Sequence, residues 1–275
     1  MHRVLFTATA LSVTRLCVMR DLRAGTITAG NLGKDAESRA SRHVIPSGRN
    51  LLDAVFVERA NGEHQAAVLI CHGIGEVVEH WVGVQRLLAE AGVASLVFDY
   101  SGYGGSSGWP SAAQCERDAV AAFAYLQALV PEMPVSLLGF SLGSGIAAEV
   151  LPQVKANRLV LFAAFTSYRA AARSLGVPVR LRFLVSNIWN SMENLASCPV
   201  PVLVVHGTGD GLFPVQMALD LHERGGADSE LVIVQGLGHS EPFYRPDPQY
   251  WGMIARWLTR KRAQGARSDR QPRYT

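Results

Sequence analysis

PVSLLGFSLGSGIAAEVLPQV, residues 134–154, decides how this chain folds. Residues 134–140 form a nearly continuous apolar run, the pattern of a strand covered on both faces of a parallel sheet. Residues from Leu142 onward are small and apolar and read as a helix. Gly139-Phe140-Ser141-Leu142-Gly143 lies at the junction. A serine on such a strand-to-helix turn needs strained dihedrals, and the residues two before and two after it must be small. The turn lifts Oγ out of the sheet, and the helix N-terminus below it favours developing negative charge. Ser141 is therefore the candidate nucleophile, with an ordinary tight turn as the competing reading.

The same alternation extends in both directions. Strand-like runs occupy residues 51–58, 66–72, 94–100, 158–164, 201–207 and 230–236, and helical patterns occupy 79–92, 111–130, 215–225 and 248–262. About six strand–helix repeats predict an α/β fold with a mostly parallel sheet and helices on both faces. Loops beyond the strands' carboxyl ends then share one edge, where chemistry gathers. Three of them carry candidates. Asp210 follows a buried strand in HGTGD (206–210), and His239 follows the last strand in GLGH (236–239). A carboxylate there can receive the imidazole N–H, fix its tautomer and stabilise the imidazolium. The third is CHGIGE (71–76), whose glycines let backbone N–H groups turn toward the serine. The N–H groups of Ile74 and Leu142 are the expected oxyanion hole. His72 and Asp99 both precede Ser141 in the chain and are read as structural, bracing their loops.

Bulk properties narrow the class. The chain has 275 residues, 48% hydrophobic and 18% charged, enough for one large domain with a buried core. Its formal charge of +3 is uneven. Residues 1–49 hold eight Lys/Arg against three Asp/Glu and residues 260–275 hold six against one, which leaves −7 on residues 50–259. A basic face for nucleic acid is thus not expected on the domain. The basic ends read as solvated tails, with weak attraction to an anionic membrane surface as the sharper alternative. No stretch reaches the ~18 apolar residues of a membrane span. The first twenty residues combine a basic start with an apolar stretch, but Arg15 and Arg20 interrupt it, so an extension is preferred to a secretory signal. The four cysteines, Cys17, Cys71, Cys115 and Cys198, are scattered without a CxxC, as expected for reduced thiols in a cytoplasm. The expected organisation is an N-terminal extension at 1–49, a domain at 50–260 with a small, mostly helical cap at 165–199, and a basic tail at 261–275.

Taken in order, HGIGE, DYSGYGGSSG, GFSLG, HGTGDGLFP and GLGH resemble the motifs of the α/β-hydrolase superfamily over roughly residues 50–260. HGIGE is similar to the oxyanion segment of monoacylglycerol-lipase-like hydrolases. The short cap with Phe165-Thr166-Ser167 looks more like the depalmitoylating branch. The resemblance implies a serine hydrolase that uses Ser141, Asp210 and His239 on a carboxylic ester or acyl thioester, with a small-molecule or lipid-like acyl substrate and neither metal nor organic cofactor. The small cap departs from the triglyceride-lipase pattern. Within it, Leu181, Phe183, Ile188 and Trp189 read either as the wall of an acyl pocket or as a helix buried on the core. Amide or peptide hydrolysis and acyl transfer use the same residues, and a non-catalytic binding protein on this scaffold is the remaining alternative.

Overall fold

The computed structural model describes residues 37–178, 180, 185–186, 188–261 and the backbone of residues 273–274. The strands are β1 (Ser38–Ser47), β2 (Asn50–Arg59), β3 (Ala66–Cys71), β4 (Val93–Phe98), β5 (Val135–Phe140), β6 (Leu159–Phe162), β7 (Val202–Gly207), β8 (Ser229–Val234) and the two-residue β9 (Arg273–Tyr274). The helices are α1 (Val82–Glu90), α2 (Ala112–Leu129), α3 (Leu142–Val150), α4 (Tyr168–Ser174), α5 (Ser191–Ala196), α6 (Val215–Arg224), α7 (Glu241–Tyr244) and α8 (Pro248–Thr259).

All nine strands join one sheet in the order β1-β2-β4-β3-β5-β6-β7-β8-β9. The β1–β2 and β2–β4 pairs are antiparallel and the rest are parallel. This is the α/β-hydrolase architecture expected from the sequence. Alternate residues of each buried strand enter opposite cores because successive side chains point to opposite faces. Leu69 and Leu137 face α2 and α3, whereas Ile70 and Leu138 face the side packed with Trp81, Leu88, Trp251 and Ile254. The connection from β3 turns to β4 on one side, while β5 lies on the other, so a crevice opens at the carboxyl ends of β3 and β5. Cys71 and Gly139 are paired there, one residue before His72 and two before Ser141.

Two features depart from the sequence reading. The N-terminal extension expected over residues 1–49 contains β1, ten residues paired with β2 from Ser38↔Arg59 to Ser47↔Asn50. Arg39, Ser41, Arg42 and His43 mask the strand pattern because this edge strand buries little beyond Ser38, Ile45 and Ser47. Among the described strands β1 lies at the sheet's edge, where a proline such as Pro46 is tolerated. The cap is less helical than expected: among the described residues of 165–199, only α4 and α5 are α-helical, at seven and six residues. In the basic tail, the backbone of Arg273 and Tyr274 pairs in parallel with Val232 and Ile233 of β8. Among the described residues, no helix is long and apolar enough to cross a membrane.

Candidate active site

Ser141 sits between β5 and α3 with φ 50° and ψ −116°, a positive φ that a side chain adopts only under strain. The surroundings hold it there. Its N–H donates to Phe162 O at 3.0 Å, and its carbonyl accepts the Ser144 hydroxyl at 2.6 Å. The serine is only 5% exposed.

Three loops converge on its hydroxyl. His239 Nε2 lies 2.9 Å from Ser141 Oγ, and His239 Nδ1 lies 2.7 Å from Asp210 Oδ2. The other carboxylate oxygen of Asp210 accepts the N–H groups of Leu212 at 2.8 Å and Phe213 at 2.9 Å. Burial pushes the Asp210 carboxyl up, but the His239 hydrogen bond and charge, together with the two N–H groups, leave it below the usual carboxylate range. Asp210 is therefore ionised at neutral pH, and an Nδ1–H tautomer of His239 leaves Nε2 free to accept from the serine. The imidazole is walled by Phe140, with ring centroids 5.4 Å apart, and by Phe213, edge-on at 5.2 Å. The two loops are also locked together. A Cβ on Gly207 would come 2.1 Å from Leu237 O, and one on Gly209 would come 2.5 Å from Gly236 O.

The glycine loop after β3 approaches from the other side. A Cβ on Gly73 would lie 3.2 Å from Ser141 Cβ, so the backbone leading to Ile74 runs directly beside Ser141. Gly75 takes φ 76°, which turns that backbone. Leu142 supplies the first N–H of α3, a donor that an α-helix leaves without an internal partner. The backbone of both segments runs beside Ser141, and stabilising an oxyanion there requires N–H donors.

Glu76, quoted in the sequence motif without a role, braces this loop: its Oε2 accepts Gly73 N–H at 2.8 Å and the Trp81 indole N–H at 2.9 Å. A carboxylate inside a glycine loop after a buried strand is the signal that could have singled it out. His72 is fully buried and donates Nδ1–H to Gly73 O at 2.8 Å. Asp99 accepts the N–H groups of Val78 at 3.0 Å and Gly105 at 3.0 Å. Both have structural contacts, as read from the sequence.

These buried groups make stability depend on pH. Burial pushes the Glu76 carboxyl from 4.5 up to about 8 and the Asp99 carboxyl from 3.8 up to about 7, and it holds His72 down at about 4. The two acids keep protons in the fold that the unfolded chain has already lost, so each lowers stability as pH rises through its window. His72 acts oppositely between about 4 and 6.5, where only the unfolded chain binds its proton. As pH rises above 6.5 the opposing histidine effect fades and the acid effect dominates, with a slope of up to about 1.4 kcal/mol per pH unit for a fully protonated group. Glu76→Gln is therefore expected to flatten the fall in Tm between pH 6.5 and 8. Parallel wild-type and variant curves would contradict this account.

The pocket residues expected from the cap have separate fates. Leu181 and Phe183 lie outside the described residues. Ile188 is half-buried against the core. Trp189 is 1% exposed, takes φ 48° and donates its indole N–H to Glu116 Oε1 at 2.8 Å. Its Cβ lies 2.9 Å from where a Cβ on Gly145 would stand, so the tryptophan packs on α3, the helix that begins beyond Ser141. Among the described residues, no group of three or more His, Cys, Asp or Glu side chains is arranged for a metal ion.

Comparison with known proteins agrees with this fold. A family profile described as serine aminopeptidase, S33, matches residues 62–194. An uncharacterized protein of Mycobacterium tuberculosis is 31% identical over 228 residues, covering 78% of this chain and 81% of the relative. Lysophosphatidylserine lipase ABHD12 of Danio rerio is 24% identical over 248 residues, covering 78% of this chain and 65% of the lipase. The solved structure of the Pyrococcus furiosus esterase Pf2001 superposes with a TM-score of 0.65 at 19% identity, covering 85% of this chain and 93% of the esterase.

Proposed function

The chain belongs to the α/β-hydrolase superfamily, and from that premise we propose that it hydrolyses a carboxylic ester or acyl thioester through Ser141, His239 and Asp210. The observation that carries this reading is the unbroken hydrogen-bond sequence Ser141 Oγ, His239 ring, Asp210 carboxylate, at 2.9 and 2.7 Å, on a strained turn. His239 takes the hydroxyl proton as Ser141 Oγ attacks the acyl carbon. The carbonyl oxygen becomes an anion held by the Ile74 and Leu142 N–H groups. Collapse expels the alcohol or thiol, which receives the proton from His239, and leaves an acyl ester on Ser141. A water deprotonated by His239 then attacks that ester, releasing the acid and returning the proton to Ser141.

An ester is favoured over an N-terminal peptide. An aminopeptidase needs a carboxylate for its substrate's ammonium group. Glu76, Asp99, Asp210 and Glu241, the acids of the surrounding loops, already accept N–H groups of the protein itself. The lipase relative supports an acyl substrate of lipid-like character. Incubation with a fluorophosphonate probe, followed by assays on p-nitrophenyl esters, acyl thioesters and aminoacyl p-nitroanilides, tests the proposal. The expected result is stoichiometric labelling at Ser141 with turnover of esters or thioesters. A folded protein that is not labelled, or one that turns over only anilides, would overturn it.

A further inference from the structure

We propose that His206 is a positioning residue for this site, holding the Asp210 turn so that one carboxylate oxygen faces His239. The inference rests on reading Asp210 as the partner of His239. His206 occupies the next-to-last position of β7, after the apolar run Val202-Leu203-Val204-Val205, and is fully buried. A polar ring in such a strand carries a desolvation cost that a valine would avoid.

Its contacts all lead to the acid. Nε2 lies 3.0 Å from Phe213 O, and because a carbonyl only accepts, Nε2 carries the proton. The same nitrogen is 3.5 Å from Asp210 Oδ2, the oxygen bonded to His239. Phe213 completes the loop, since its own N–H donates to Asp210 Oδ1 at 2.9 Å. The ring thus ties the carbonyl of the residue whose amide ties the carboxylate. The Phe213 side chain also stands edge-on to His239, so the same tie places one wall of the imidazole.

The protonation state suits this task. Burial holds His206 below the ordinary histidine range, and Nδ1 has no hydrogen-bond partner among the described residues. The ring is therefore neutral, with one proton, directed at the Phe213 carbonyl. It brings an N–H edge near Asp210 without a second positive charge that would compete with the imidazolium formed on His239.

The test compares His206→Leu, His206→Asn and His206→Gln with Asp210→Asn on one reactive ester. Glutamine can place its amide N–H near the position of Nε2, whereas asparagine is too short and leucine has no donor. His206→Leu and His206→Asn are expected to lose roughly 10–100-fold in kcat with KM nearly unchanged, the scale of a small misplacement of a reacting group. The acid limb of their kcat/KM profiles is expected to move to lower pH, because a misaligned carboxylate supports the imidazolium less. His206→Gln is expected to restore both kcat and the profile to near wild type. Circular dichroism and thermal melting establish which variants are folded. Two outcomes would overturn the proposal: a folded His206→Leu or His206→Asn protein with wild-type kcat and pH profile, or a folded His206→Gln protein as impaired as the others. Asp210→Asn separates the two levels. If it keeps wild-type activity, the underlying reading fails. If it loses activity while the His206 variants do not, only the role of His206 is refuted.

Discussion

Ser141→Ala is expected to lower kcat on a p-nitrophenyl ester by roughly 10⁶-fold and to abolish fluorophosphonate labelling, while the protein still folds. The magnitude follows from the cooperation of the three groups. Without the hydroxyl, His239 has no proton to take and no acyl intermediate forms, so Asp210 and the oxyanion donors act on a reaction that cannot begin. Residual turnover would come only from water attack assisted by those donors. Alanine keeps the φ of 50°, so it isolates chemistry from backbone strain. Glycine at 141 would remove the hydroxyl and also relieve the positive φ, and it is expected to raise stability by about 1 kcal/mol over alanine. Steady-state kinetics, probe labelling and paired thermal melts of the two variants check these outcomes. Activity within 100-fold of wild type in Ser141→Ala would place the nucleophile elsewhere.

Gly143→Ala is expected to be nearly as damaging by a different route. A Cβ there would stand 1.9 Å from Cys71 O, 2.4 Å from Cys71 C and 2.7 Å from His72 O. All three atoms are backbone, and they lie where β3 passes into the glycine loop. No side-chain rotation relieves the overlap, so either α3 must tilt away from the sheet or the loop carrying Ile74 must withdraw from Ser141. The first course costs packing, of order 4 kcal/mol or more. The second costs oxyanion stabilisation, worth roughly 10²–10³ in rate per donor. Low soluble yield, or a folded protein with kcat reduced at least about 100-fold, is the expected result. A variant with both wild-type Tm and wild-type kcat would show that the close approach at Gly143 is dispensable.

The sequence reading succeeded where one segment carried its own signal. Buried parallel strands announce themselves as apolar runs, and residues set just beyond their ends fall on one edge whatever the details of packing. Ser141, Asp210 and His239 could therefore be named before their distances were known, and Gly139 and Gly143 could be recognised as steric requirements. It failed where a residue's role depends on a partner remote in sequence. Glu76 becomes a brace through the Trp81 indole, and His206 through the Phe213 carbonyl, and neither contact leaves a periodic trace. It also failed where a segment is only partly buried. β1 alternates weakly because it buries little beyond Ser38, Ile45 and Ser47. In the cap, closely spaced apolar residues suggested helix, yet Trp189 takes a left-handed conformation and faces α3.

The ten residues of β1 set where the chain can be shortened. The change in composition near residue 50 invites a cut there, yet such a cut would strip the outer strand from β2 and leave its row of N–H and C=O groups open along ten residues. It would also free Asp53 from Arg42 and leave Asp118, buried beneath Ser47, without that hydroxyl. A long, bare, apolar margin of this kind invites neighbouring molecules to stack onto it, so loss of solubility would precede any loss of chemistry. Any shortened form meant to be handled in solution should begin upstream of Ser38.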